Sequence, residues 1–157
     1  MNNNAWFKKE NPLLSLHSMG GGAAGTLMQG ATTKTYIDDV FSTYLYKGDD
    51  ANNHHIQNGV DLTEGGLVWI KDRDGAYNHT LVDSEYSMNA GGNYLSSSLD
   101  GAGSSGPVIN SFETNGFKLH SNWYANWSTQ NYSSWTFRKA PGFFDVVKYT
   151  GTGSTQT

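Results

Sequence analysis

Apolar positions in this chain change their rhythm near residue 35. Before it, Trp6, Phe7, Leu13, Leu14, Leu16, Met19, Leu27 and Met28 are scattered among Asn, Lys, Gly and Ala. They follow neither the period of 2 that makes a strand nor the 3.6 that makes a helix. Met19 to Gly25 is also too rich in glycine to hold a helix without a large entropic cost. Residues 1–34 therefore read as an extended arm. Eight large apolar residues are more than a disordered leader carries, so the arm is expected to bury them on a partner.

From Tyr36 onward short apolar runs alternate with turn clusters. They predict strands over 35–46, 66–72, 78–84, 108–112, 116–120, 132–138 and 143–150. Asn115-Gly116 lies between Phe112-Glu113 and Phe117-Lys118 and predicts a tight antiparallel hairpin, because both residues tolerate positive φ. Asp74-Gly75 predicts a second turn, and Ala140-Pro141-Gly142 breaks the chain before Phe143-Phe144. Residues 87–106 read as a long polar loop. Short strands at this spacing predict an antiparallel β-sandwich or jelly roll over 35–142. Phe41 to Gly48 recurs as Phe144 to Gly151 with Phe, Tyr and Gly in one register. Residues 143–157 are thus expected to be a closing strand or the first strand of a following repeat module.

Composition supports an all-β class: 19 glycines and only 15% charged residues, with 36% hydrophobic residues to supply a core. A net charge of −4 offers no basic face for nucleic acid or an anionic membrane. No apolar run approaches the roughly 20 residues of a membrane span, and no signal-peptide core opens the chain. Synthesis in a host cytoplasm, without export by a classical signal, is the corresponding expectation. With no cysteine, disulfides, thiolate zinc sites and thiol catalysis drop out together.

Few residues promise chemistry. Asp72-Arg73-Asp74-Gly75 begins like a calcium loop but has Tyr77 and Asp83 where an EF-hand wants Gly and Glu, so a turn is expected and no metal. His54, His55, His79 and His120 lack ligand spacing and are expected to face solvent or make hydrogen bonds. Asp61, Glu64, Asp83, Glu85 and Glu113 are the carboxylates a glycosidase would have to draw on, and spacing pairs none of them. No nucleophile motif occurs. Trp123, Tyr124, Trp127 and Tyr132 lie among amides and hydroxyls outside any clean alternation. Such rings make sugar platforms, although filling a core or subunit interface is their more frequent use. Trp69 and Trp135, inside strands, are expected in the core.

Four blocks in order carry a resemblance: Gly65 to Arg73, Asn78 to Asp83, Ser111 to Leu119 and Trp135 to Val147. Together they resemble a concanavalin-like module of virion proteins in tailed bacteriophages, particularly those of marine bacteria and cyanobacteria. The Pro12-Leu13-Leu14 stretch and the glycines after it resemble the particle-attaching start of such proteins. The resemblance implies the amino-terminal portion of a tail fibre or related appendage, located in the virion. It attaches through Trp6, Phe7, Leu13, Leu14, Leu16 and Met19 to other virion proteins, at the tail or a head–tail adaptor or nozzle. It also implies a homotrimer that supports host-receptor recognition, with no catalytic residue and no cofactor to carry over. The alternatives are a lectin-like module that binds a host surface glycan through Trp123, Tyr124, Trp127 and Tyr132, and a polysaccharide-degrading enzyme on the same sandwich.

Overall fold

The computed structural model describes residues 35–88 and 92–153. The arm, with all six proposed attachment residues, lies outside them. Nine strands carry the described fold: β1 (Phe41–Lys47), β2 (His54–Ile56), β3 (Gly66–Asp72), β4 (Thr80–Asp83), β5 (Asn93–Tyr94), β6 (Ser104–Ser105), β7 (Ile109–Glu113), β8 (Gly116–Leu119) and β9 (Asn131–Arg138). One sheet has the order β1-β9-β3-β4, a second has β2-β8-β7, and β5 and β6 form a small ribbon. Every pairing is antiparallel. The class is all-β and sandwich-like, as composition and turn spacing predict.

Between the two larger sheets lies a single core. Val68, Ile70, Val82 and Tyr132 from the first sheet meet Ile56, Ile109, Phe117 and Leu119 from the second. Alternation along β3 is strict, with Val68, Ile70 and Asp72 buried and Leu67, Trp69 and Lys71 partly exposed. Strand β9 follows the same rule, burying Tyr132, Ser134 and Thr136. Trp69 and Trp135, expected in the core, therefore stand on the outer face. They are cross-strand partners with ring centroids 5.7 Å apart. The correction is one of phase: period 2 sends them away from the side occupied by Val68 and Ile70.

The hairpin at Asn115-Gly116 forms, with Glu113 paired to Gly116. Gly116 supplies the positive φ of 106°. A Cβ there would stand 2.0 Å from the Ile56 carbonyl oxygen, so close passage of β2 demands glycine as much as the turn does. Residues 35–46 are not one strand. A short helix, α1 (Ile37–Val40), precedes β1, because the Asp39 carboxylate accepts the Tyr36 amide at 2.9 Å and caps the turn locally.

The strand expected over 143–150 does not form. Pro141-Gly142 turns the chain, Ala140 bridges Phe144, and both flanks of β9 already carry β1 and β3. The residues leaving that turn therefore cannot pair back onto β9. Phe144 instead packs on Phe137, Lys139 pairs with Asp145 at 3.0 Å, and Val147 and Tyr149 are exposed. Likeness in composition to 41–48 does not carry likeness in structure.

Candidate aromatic cleft

A small, aromatic-lined concavity is built by three loops at one end of the sandwich. Tyr77 and Asn78 come from the β3–β4 loop, Tyr94 and Ser104 from the β5–β6 ribbon, and Trp123 and Tyr124 from the β8–β9 connection. They enclose about 140 Å³, and none of the lining side chains is charged.

The turn that presents Trp123 and Tyr124 is held by two asparagines. Asn122 accepts the Ala125 amide at 2.8 Å through its side-chain oxygen and donates its side-chain amide to the His120 carbonyl at 2.9 Å. Asn126 is fully buried. Its Oδ1 accepts the Asp49 amide and faces His54 Nδ1, while its Nδ2 donates to the Ala51 carbonyl. One amide side chain thus ties the loop after β1 to the loop before β9. Gly48 completes the junction, since a Cβ on it would meet the Trp127 carbonyl oxygen at 2.2 Å.

On this support the rings are braced. Trp123 and Tyr124 lie 4.1 Å apart between centroids and are tilted by 32°. Tyr77 meets Trp123 edge-on at 5.7 Å, and Tyr94 backs Tyr124 at 5.1 Å. Burial raises the Tyr94 phenol above its ordinary pKa, and its hydrogen bond to Tyr124 pushes the same way. The Tyr94 phenol stays neutral near pH 7. Trp123 remains 50% exposed, so part of its indole is offered to solvent while Tyr77 and Tyr124 hold it in place.

The four aromatic residues singled out in the sequence part company here. Trp123 and Tyr124 belong to the cleft. Trp127 is exposed but does not line it. Tyr132 is fully buried, its hydroxyl accepting the Trp127 amide at 3.0 Å, which removes it from any surface platform. It faces inward because the register of β9 against β3 sets it opposite Asp72, on the buried face of the sheet. Tyr77 and Asn78 were missed as cleft residues because nothing local brings the β3–β4 loop beside residue 123.

Other candidates resolve into structure. Asp72 Oδ1 accepts the Asp74 and Gly75 amides, and the Lys71 ammonium lies on the Asp72 and Gly75 carbonyls, which makes the segment a lysine-braced turn. Asp74 in turn accepts both the backbone and side-chain N–H of Asn131, bonds that hold its carboxyl below the usual range. His79 accepts the Trp69 indole N–H at 2.8 Å, and His120 lies against the Ser121 carbonyl. Among the described residues no group of three acidic, histidine or cysteine side chains could hold a metal ion. Of the five carboxylates, Asp83 accepts the Glu85 and Tyr86 amides and Glu113 pairs with Lys118. Asp61 and Glu64 share a broader groove of about 630 Å³ with Arg138 and Lys139. There the Thr63 hydroxyl and amide hold the Asp61 carboxyl below its ordinary value, opposite to what a general acid needs.

A family model for a domain of unknown function, DUF7483, matches residues 37–157. The chain belongs to the DUF7483 family. The match begins at α1, just before the first strand of the sandwich, and takes in the cleft and the residues after β9. Searches of curated proteins and of solved structures found no match to this DUF7483 chain.

Proposed function

We propose that this chain is a non-catalytic binding module of a tailed-phage virion appendage, and that its contact surface for the host is the Trp123 cleft. The observation that carries the binding role is a half-exposed Trp123 indole, braced by Tyr77 and Tyr124, beside the neutral polar groups of Asn78, Ser96 and Ser104. A ring face flanked by amides and hydroxyls suits the apolar C–H face and the hydroxyls of a neutral sugar. The absence of lining charge disfavours an acidic one. At about 140 Å³ the cleft is smaller than the roughly 300–1,000 Å³ of drug-sized pockets and suits one terminal ring of a glycan. The virion location rests on the resemblance of the four sequence blocks, and a trimeric assembly with other virion proteins comes from the same source.

The test is a glycan array of neutral and acidic host-surface sugars probed with the full chain and with Trp123→Ala. Binding to neutral glycans that falls at least tenfold in the variant, while Trp127→Ala retains it, is the expected result. Binding that survives Trp123→Ala, or none to any neutral glycan, removes the cleft as the contact surface. Hydrolysis of the bound polysaccharide would move the chain to the enzyme alternative.

A further inference from the structure

The first sheet has a second apolar face that the sandwich core does not use. Opposite the core side, the register aligns Phe41, Phe137 and Leu67 in one row and Thr43, Trp135, Trp69 and Leu81 in the next. Phe41 and Phe137 are 5.0 Å apart between ring centroids, and Phe144 covers part of the first row. The second row continues through the Leu81–Leu95 bridge to a Leu95 that is 40% exposed, and Leu45 on β1 is 58% exposed. A sheet whose inner face includes Ser134 and Thr136 while its outer face carries two tryptophans is apolar on both sides. Antiparallel sheets with one solvated face show the reverse, with polar residues outward.

We propose that residues 1–34 of the same chain cover this outer face as a third layer, with Leu13, Leu14 and Leu16 against Trp69 and Trp135. Two observations favour that occupant. The segment joins the described fold at Thr35, one short helix ahead of Phe41, which stands at a corner of the face. Its length is ample, because 34 residues at roughly 3.3 Å each exceed several times the width of four strands spaced about 4.8 Å apart. Eight large apolar residues without a period of their own then find a surface already attached to them. Tethering gives that surface a millimolar-scale effective concentration, which favours closure within one chain over capture of a partner.

The absence of cysteine makes a clean test on the full chain. A nitroxide on Ser15→Cys is combined with ¹⁵N-tryptophan labelling, in a sample diluted with unlabelled, nitroxide-free protein so that only intramolecular effects remain. The indole signals of Trp69 and Trp135 are expected to broaden at least twofold more than that of Trp127, which sits against Gly48. Substituting Leu13→Asp, Leu14→Asp and Leu16→Asp together should abolish the difference while the remaining signals stay dispersed. Ser18→Cys serves as the label site if Ser15→Cys folds poorly. Equal broadening at all three indoles, or none, overturns the proposal. Broadening seen only when the nitroxide sits on ¹⁵N-free copies overturns it as well, and assigns the face to a second copy of the chain.

Discussion

At the scale of single residues, stability rests on polar groups that the core had to satisfy. Asn126 is the clearest, because from a fully buried position its amide bonds Asp49 and Ala51 of the β1–β2 loop and faces His54 at the start of β2. Asn126→Ala leaves the Asp49 amide and Ala51 carbonyl without partners. At about 0.5–1.5 kcal/mol for each hydrogen bond lost, the expected loss is roughly 1–3 kcal/mol in a denaturant melt. A loss within the range of an ordinary surface substitution would contradict this reading. Tyr46 and Tyr132 stack at 5.2 Å. Burial is the main cause that raises both phenols, Tyr132 to about 12 and Tyr46 well above the ordinary value, with the Asp72 carboxylate adding to each. A phenol raised in the fold stabilises fully below its unfolded pKa near 10, and that contribution is lost as pH climbs through the folded value. Stability should therefore fall between pH 10 and about 12. The double variant Tyr46→Phe and Tyr132→Phe loses the hydrogen bonds to Ala125 and Trp127 and should be less stable at pH 7, yet flatter over that alkaline window in a pH series of thermal melts.

Among the elements, the two faces of the β1-β9-β3-β4 sheet set a ranking. Phe117 is fully buried between the sheets, whereas Trp69 is on the outer face, held by Trp135 and His79. Phe117→Ala should cost about 3–5 kcal/mol, the usual range for emptying an aromatic core site. Trp69→Ala gives up an aromatic pair of roughly 0.5–1.5 kcal/mol together with partial burial, and should cost clearly less. Urea titrations of both variants decide the order, and the reverse order would place the core on the wrong side of the sheet. The strands themselves were legible where alternation is strong, as in β3, and where a turn dipeptide marks a hairpin, as between β7 and β8. The three-residue β2 and two-residue β5 and β6 were not. Such short pieces hold no full period, and their pairing is decided by partners distant in sequence, Leu119 with His54 and Ser105 with Asn93.

For the molecule as a whole, the residues after β9 act as a strap on the outer face. Phe144 touches Phe137, and the Lys148 ammonium lies 5.7 Å from the Tyr86 ring centroid. Ending the chain after Val146 should change the melting temperature by no more than about 2–4 °C, the shift that about 1 kcal/mol produces in a domain of this size. Phe144→Ala should lower it further, because it uncovers Phe137. A cooperative transition lost on truncation would restore a strand role to 143–150. The same segment shows the limit of repeat detection: Phe, Tyr and Gly recur in register, but a strand also needs a vacant edge, and β9 has none.

What the sequence determined by itself is the local part: the all-β class from turn spacing and glycine, the hairpin at Gly116, and the turns at Asp74 and Gly142. Each depends on torsional preference or on alternation within a few residues, and those act before the chain collapses. The cleft and the inward or outward fate of the aromatics were decided by tertiary structure. Trp69 and Tyr132 sit in equally good strand sequence, and only the register of β9 against β3 sends one outward and the other into the core. Tyr77, Tyr94 and Trp123 meet because three loops close over one end of the sandwich. That meeting belongs to long-range packing, which no window of residues along the chain contains.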